Sequence, residues 1–322
     1  MALGVDGVRI GTWTSPDAVT GCTVVLPPAG TLGAVAVRGA APGTREAAAL
    51  GPDGHVEVCH GVVLSGSSAY GLAVADGVMG WLEEQGRGYP VGPSALVPIV
   101  GAAIVLDAGV QRPDQRPGPD AGRHCCEHAS DEDPPEGGVG VGTGCTVAKV
   151  GGLEHAWRSG QGLAVRRAGG VTVGALVANN ALGEVVADDG GWLCRARIGA
   201  DEPRYPEVNQ VRPTRADDAG AASPAGPTGN TVIGCLVTDA ILTKQAAHRV
   251  ADLAHSGIAR ALRPAHTKHD GDALFCLATG RVEATADLVA HLAAEAVEEA
   301  ARRGPLAAVG AHGLPGLADP AR

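Results

Sequence analysis

The stretch PTGNTVIGCLVTDA (227–240) sets one hydroxyl residue, Thr231, between an aperiodic run and a clean apolar strand. Gly229 and Asn230 stand directly before it, two residue types that tolerate unusual backbone conformations. A strained peptide bond there would let the Thr231 hydroxyl attack the Asn230 carbonyl and cut the chain before Thr231. The freed threonine α-amine has a reference pKa of ~7.7–8.0, so an appreciable fraction is neutral at physiological pH. One residue then supplies both nucleophile and general base, the N-terminal variant of the serine–histidine arrangement. The β-branch of Thr231 restricts χ1 and helps to aim the hydroxyl. A threonine at the start of a strand is ordinary by itself; the upstream run and the Gly-Asn pair give this one its chemical reading.

Two other stretches invite chemistry. HCCEH (124–128) would place His124 and His128 on one face of a helix, with Cys125 nearby. The pattern is not H-E-x-x-H, and no second ligand cluster has zinc-finger spacing, so no metal is expected. GSSAYG (66–71) offers Ser67 and Ser68 as nucleophiles but lacks the G-x-S-x-G elbow. Its small residues better suit a helix N-terminus approaching a pocket, so Ser67, Ser68 and Tyr70 are assigned to the substrate pocket. HTKH (266–269) reads as a solvated loop. No cofactor is expected.

The elements that must hold these residues follow from periodicity. GCTVVLPP (21–28) and GAVAVRG (33–39) read as a hairpin, HGVVLSG (60–66) as a buried strand, and 72–86 as a helix ended by Gly86 and Gly88. Residues 97–109 read as strand, and 112–140 are polar and carry several prolines. Residues 163–187 read as two or three strands, with turns at 168–170 and 180–183. From 200 to 230 no periodicity is sustained, which predicts a flexible linker over 201–229. Strand (231–240), helix (243–262), strand (271–280) and helix (285–303) follow, and the tail from Gly304 reads as loose. The mix predicts α+β layers in one catalytic domain.

Bulk composition narrows the partners. Of 322 residues 45% are hydrophobic, but only four Trp, three Tyr and one Phe occur, so Ala, Val and Leu must fill the core. A net charge of -10 without a basic cluster argues against nucleic acid and anionic membranes. No apolar run reaches the roughly 18 residues of a membrane span, and the start has no signal-peptide pattern, so the expected location is cytoplasmic. Eight cysteines at scattered spacings then read as reduced, mostly buried thiols.

The order of several motifs resembles a known family. They are TGCTVVLPP (20–28), VRGAAPGTRE (37–46), VVLSGSSAYGLAVADGVMGWLEEQGRGYPVG (62–92), VGTGCTVAKVGG (141–152), VGALVANNALGEVV (173–186), GNTVIGCLVTDA (229–240) and HTKHDGDALFCLATG (266–280). The chain resembles the self-cleaving amidases that include D-aminopeptidase/esterases, β-peptidyl aminopeptidases and endo-acting nylon-oligomer hydrolases. That resemblance implies a four-layer αββα sandwich like that of N-terminal-nucleophile (Ntn) hydrolases. It also implies cleavage between Asn230 and Thr231 into associated fragments 1–230 and 231–322, hydrolysis of small amides or peptides, and homo-oligomers of four or more protomers. A threonine nucleophile looks closest to the nylon-hydrolase branch.

Residue by residue, Thr231 matches the nucleophile and Lys149 the active-site lysine. A lysine in so poorly solvated a setting can polarise the hydroxyl or stabilise negative charge. Asn180 matches the oxyanion donor. Asn179 is adjacent, but strand neighbours point to opposite faces, so one alone can serve. Asp270 and Asp272 match a carboxylate pair that holds the polar network. The family often has an aromatic just before the position of Asp107; here Leu106 removes a phenolic donor. Two other classes stay open: an acyltransferase using the same threonine chemistry, and an uncleaved binding or structural protein with an inert Thr231.

Overall fold

The computed structural model describes residues 1–199, 201 and 229–320. The linker expected over 201–229 lies, apart from its two ends, outside the described residues. In chain order the principal elements are β1 (Arg9–Ser15), β2 (Thr20–Leu26), β3 (Leu32–Val37), β4 (Gly61–Ser65), α1 (Val74–Glu84), β5 (Val100–Ile104) and α2 (Pro119–Glu127). They continue with β6 (Gln161–Ala168), β7 (Val171–Asn180), β8 (Thr231–Ala240), α3 (Lys244–Ala261), β9 (Ala273–Val282) and α4 (Ala286–Leu306).

Two five-stranded sheets stack face to face. One has the order β1-β2-β4-β5 and is closed by the short strand Thr44–Arg45; the other has the order β6-β7-β8-β9-β3. Both are antiparallel except for the β4–β5 and β8–β9 pairs. β2, β4, β5 and β7 are buried along their whole length, as strands covered on both faces must be. Three apolar layers result. Val74, Val78, Leu82 and Cys125 of α1 and α2 pack on the outer face of the first sheet. Val62, Leu176, Ile233 and Phe275 lie between the sheets. Val250, Ile258, Val289 and Val297 of α3 and α4 cover the second sheet. The fold is therefore a four-layer αββα sandwich. Its single Phe sets one local spacing: a Cβ on Gly101 would stand 2.6 Å from the Phe275 ring.

α3 and α4 start at threonine caps, where Thr243 and Thr285 accept from the backbone N–H of Ala246 and Leu288. All eight cysteines are free and buried. No helix among the described residues is long and apolar enough to cross a membrane.

Two expectations are corrected. β2 and β3 do not form a hairpin: β2 lies between β1 and β4, whereas β3 pairs with β9 in the other sheet. Both are buried too thoroughly for alternation to reveal a partner, and Pro27-Pro28 begins a link that crosses between sheets. The tail from Gly304 is not loose. α4 runs through Pro305 to Leu306, and Ala318 then donates its N–H to the Ala308 carbonyl at 3.0 Å. Pro305 removes the helical donor for the Ala301 carbonyl; the Asn179 side chain supplies one instead, at 2.7 Å. The proline-rich stretch 112–140 also contains a helix, α2, which buries Cys125 and Cys126. His124 and His128 stack on its exposed end at 4.1 Å.

Candidate active site

The end of the second sheet assembles the candidate residues. β7 finishes at Asn180 and β8 begins at Thr231, and these two are register partners. One residue upstream, Asn230 bridges to Asp270, and β9 then runs parallel to β8. Thr231, Lys149, Asn180, Asp270 and Asp272 are all buried there.

The Thr231 hydroxyl rests against the Asn230 carbonyl, the bond that precedes it in the chain. That carbonyl also accepts from the Gly271 N–H at 3.2 Å. The side-chain oxygen of Asn230 is buried and has no hydrogen-bond partner among the described residues. An unpaired buried acceptor costs about 1–3 kcal/mol, so the Asn230–Thr231 junction carries a local penalty.

Lys149 reaches the same place from the other side. Ala148, at φ 57, turns the chain so that the lysine points inward; a non-glycine residue in that region is uncommon and clusters at functional sites. Lys149 Nζ donates to Asn180 O at 2.9 Å, Asn180 Oδ1 at 3.1 Å and Gly229 O at 2.9 Å. Burial lowers its pKa to about 7, against the opposing pull of Cys145 and Asp270. The Asn180 amide donates to Leu106 O at 3.0 Å and Gly229 O at 3.1 Å, and its Oδ1 accepts from Thr146 N. Asn179 faces away, toward α4.

The carboxylates divide their work. Asp272 Oδ1 accepts the Val232 N–H at 2.6 Å, and its Oδ2 accepts from the His266 ring at 2.7 Å. Asp270 accepts from Thr267 N at 2.6 Å; burial and the neighbouring Asp272 push its pKa up. Two surface clefts, of ≈ 660 and ≈ 800 Å³, are lined by other residues, among them His60 and Arg87 in one and Asp188 and Arg302 in the other.

A family model described as peptidase family S58 matches residues 3–317. The chain belongs to this family. An uncharacterized aminopeptidase of Mycobacterium tuberculosis is 43% identical over 292 residues, covering 86% of this chain and 81% of that protein. A 6-aminohexanoate-oligomer endohydrolase of Agromyces sp. is 31% identical over 279 residues, 86% of this chain and 74% of that protein. Among solved structures, a Burkholderia sp. beta-aminopeptidase superposes with a TM-score of 0.71 at 21% identity, covering 98% of this chain and 90% of its own. The L-aminopeptidase D-Ala-esterase/amidase of Ochrobactrum anthropi, described as a variant of the Ntn hydrolase fold, gives 0.68 at 19%, covering 95% and 86%. As an S58 peptidase, the protein is an amide-bond hydrolase.

Within this S58 peptidase, Ser67, Ser68 and Tyr70 belong to a neighbouring group. Ser67 is fully buried and donates its N–H to Asp107 at 2.9 Å, where Thr20 Oγ1 and Gly109 N also donate. Burial pushes Asp107 up to about 6. Ser68 is half-buried, while Tyr70 is 59% exposed beneath the Arg116 guanidinium. Leu106 links the two groups: its carbonyl takes the Asn180 amide, and its side chain packs against Gly229. The HTKH stretch is corrected in part. Lys268 and His269 are exposed, but His266 turns inward to Asp272. Its signal was its position six residues before Asp272, close enough for a short loop to fold back.

The loop after β3 holds the backbone of Asp270 and Asp272 from outside. Ala41 N donates to Asp270 O at 2.9 Å and Arg38 N to Asp272 O at 2.9 Å. A Cβ on Gly39 would lie 2.2 Å from Asp272 N and 2.3 Å from Asp270 O. Gly39→Ala is expected to lower unfolding stability by about 1–3 kcal/mol through this backbone clash. A urea midpoint equal to that of the parent protein would show that the loop does not grip residues 270–272.

Proposed function

We propose that this S58 peptidase processes itself between Asn230 and Thr231 and then hydrolyses amides with Thr231 as an N-terminal nucleophile. One observation carries the reading: the Thr231 hydroxyl sits on the carbonyl it would attack, within reach of a buried lysine and asparagine cluster. In processing, Thr231 Oγ bonds to the Asn230 carbonyl carbon and the Asn230–Thr231 C–N bond breaks. The nitrogen takes up the hydroxyl proton, leaving an ester on Oγ and a free α-amine. Water hydrolyses the ester, yielding the Asn230 carboxylate and the restored hydroxyl.

Turnover repeats this attack on a substrate. The α-amine removes the Oγ proton and passes it to the leaving amine; water then releases the acyl group. Lys149 Nζ and the Asn180 amide both donate to the Gly229 carbonyl in the uncleaved chain. Withdrawal of that segment would free two donors for a substrate oxyanion. Asp270 and Asp272 hold the ends of β8 and β9 in place.

The fragments 1–230 and 231–322 are expected to stay together, because β8 sits between β7 and β9, and β9 pairs with β3. Assembly into a tetramer or larger is the matching reading for quaternary structure. The relatives' names point to small peptides or ω-amino-acid amides as substrates, to be hydrolysed in the cytoplasm. An acyltransferase would share every step but the last, with an amine replacing water.

Intact mass and N-terminal sequencing of the purified protein test the reading. The expected fragments are about 23 and about 9 kDa by proportion of the 32.1 kDa chain, the smaller starting at Thr231. Fully active protein whose sole N-terminus is Met1 or Ala2 would overturn it.

A further inference from the structure

The His266 ring presents a hydrogen-bond count that decides its charge. Nδ1 lies 2.7 Å from Asp272 Oδ2, and Nε2 lies 3.2 Å from the backbone carbonyl of His255 in α3. A peptide carbonyl can only accept, and an ionised carboxylate can only accept. Both ring nitrogens must then carry protons. A neutral imidazole, with one bare nitrogen, would set a lone pair against an oxygen at one of the two contacts.

The backbone is committed to the same geometry. His266 sits at φ 54, so that its own N–H also reaches Asp272 Oδ2, at 3.3 Å. Asp272 thus has one oxygen on His266 and the other on the Val232 N–H, the peptide group immediately after Thr231. We propose that His266 is a positioning residue, held as an imidazolium, whose charge and two donors clamp Asp272 so that Asp272 fixes the first peptide of β8 and with it the Thr231 hydroxyl and amine. The functional half of this proposal rests on Thr231 being the reacting residue.

The clamp also settles a charge question. An unpaired Asp272 carboxylate beside the Thr231 amine would favour its protonated form and remove the general base. With His266 cationic, Asp272 is already neutralised, and the amine is free to lose its proton. The other groups facing His266 do not compete. The His255 ring, 5.0 Å away, is driven toward its neutral form, chiefly by burial, to about 4. Arg38, at the end of β3, opposes a second cation but is itself paired with Asp252 of α3. Burial works against the His266 cation too, yet the hydrogen bond and charge of Asp272 outweigh it and raise its pKa. The cation is the working form, so His266 is expected to add an alkaline limb, activity falling as pH rises through its raised value, besides the acid limb set by protonation of the Thr231 amine.

The test uses imidazole ¹⁵N resonances of the full chain, with His266→Gln assigning the signal among the 11 histidines. At pH 7.5 both His266 nitrogens are expected to be protonated, and Asp272→Asn should move the midpoint down. A bare ring nitrogen at pH 7.5 in the parent protein would overturn the proposal, whether or not any variant folds. On processed protein, His266→Gln should lower kcat about tenfold or more, with a smaller change in KM, and should erase the alkaline limb. An unchanged kcat and limb would refute the positioning role. The spectrum of uncleaved Thr231→Ala separates the two readings: full activity in that variant would remove the nucleophile, while the His266 protonation is read independently.

Discussion

Thr231→Ala is expected to accumulate as a single uncleaved chain and to lose about a millionfold in amide turnover, the scale seen when a catalytic nucleophile is deleted. Two losses combine. The alanine has no hydroxyl to attack Asn230, so the α-amine never forms, and it has no hydroxyl to attack a substrate. The junction itself should survive the change, since Val232 N stays on Asp272 and the methyl of alanine fits where the threonine Cβ stood. A folded, full-length, inactive protein is therefore the expected product, visible as one band and one mass. Thr231→Ser keeps hydroxyl and amine and loses only the methyl that restricts χ1, so it should process and retain measurable turnover. Substantial hydrolysis by Thr231→Ala would show that another group attacks the substrate. Cleavage in that variant would show that the cut does not need the hydroxyl.

Much of this arrangement is legible in the sequence. β7, β8 and β9 are long runs of small and branched apolar residues, and polar residues at one end of the sheet, Asn180, Thr231 and Asp272, are at the site. The pleat alone predicted that Asn179 and Asn180 part company, and they do: one caps the Ala301 carbonyl left without its helical donor by Pro305, the other meets Lys149. What stayed hidden depends on long-range placement. Strands buried on both faces lose the alternation that would reveal their partner, so the assignment of β2 and β3 to separate sheets was invisible. α2 spans only Pro119–Glu127 and draws its stability from packing Cys125 and Cys126 under the first sheet, which propensity does not report. His266 reads as a solvated loop residue because nothing local forces its left-handed turn; the turn is held by Asp272, six residues later.

Asn180→Ala is expected to separate turnover from processing. On processed protein, loss of its amide should cut amide hydrolysis by about 10²–10³, the usual cost of removing one oxyanion donor. Self-cleavage should suffer less. In the uncleaved chain Asn180 donates to Gly229 O and Leu106 O, whereas the carbonyl under attack, that of Asn230, receives the Gly271 N–H instead. On the proposed mechanism the oxyanion of processing would be served by the backbone, and that of turnover by the Asn180 and Lys149 side chains. Asn180→Asp should do no better than alanine, because a carboxylate would repel the developing charge and leave Leu106 O without a donor. Asn179→Ala acts on a different face and should weaken the last turn of α4 without this catalytic loss. The measurement is paired: the rate of fragment appearance in freshly made chain, and the turnover of a small amide by fully processed protein. Near-parent turnover in processed Asn180→Ala would remove the oxyanion role from this residue. Equal losses in both rates would instead place Asn180 at both reactions and contradict the division of labour between the Gly271 N–H and the Asn180 amide.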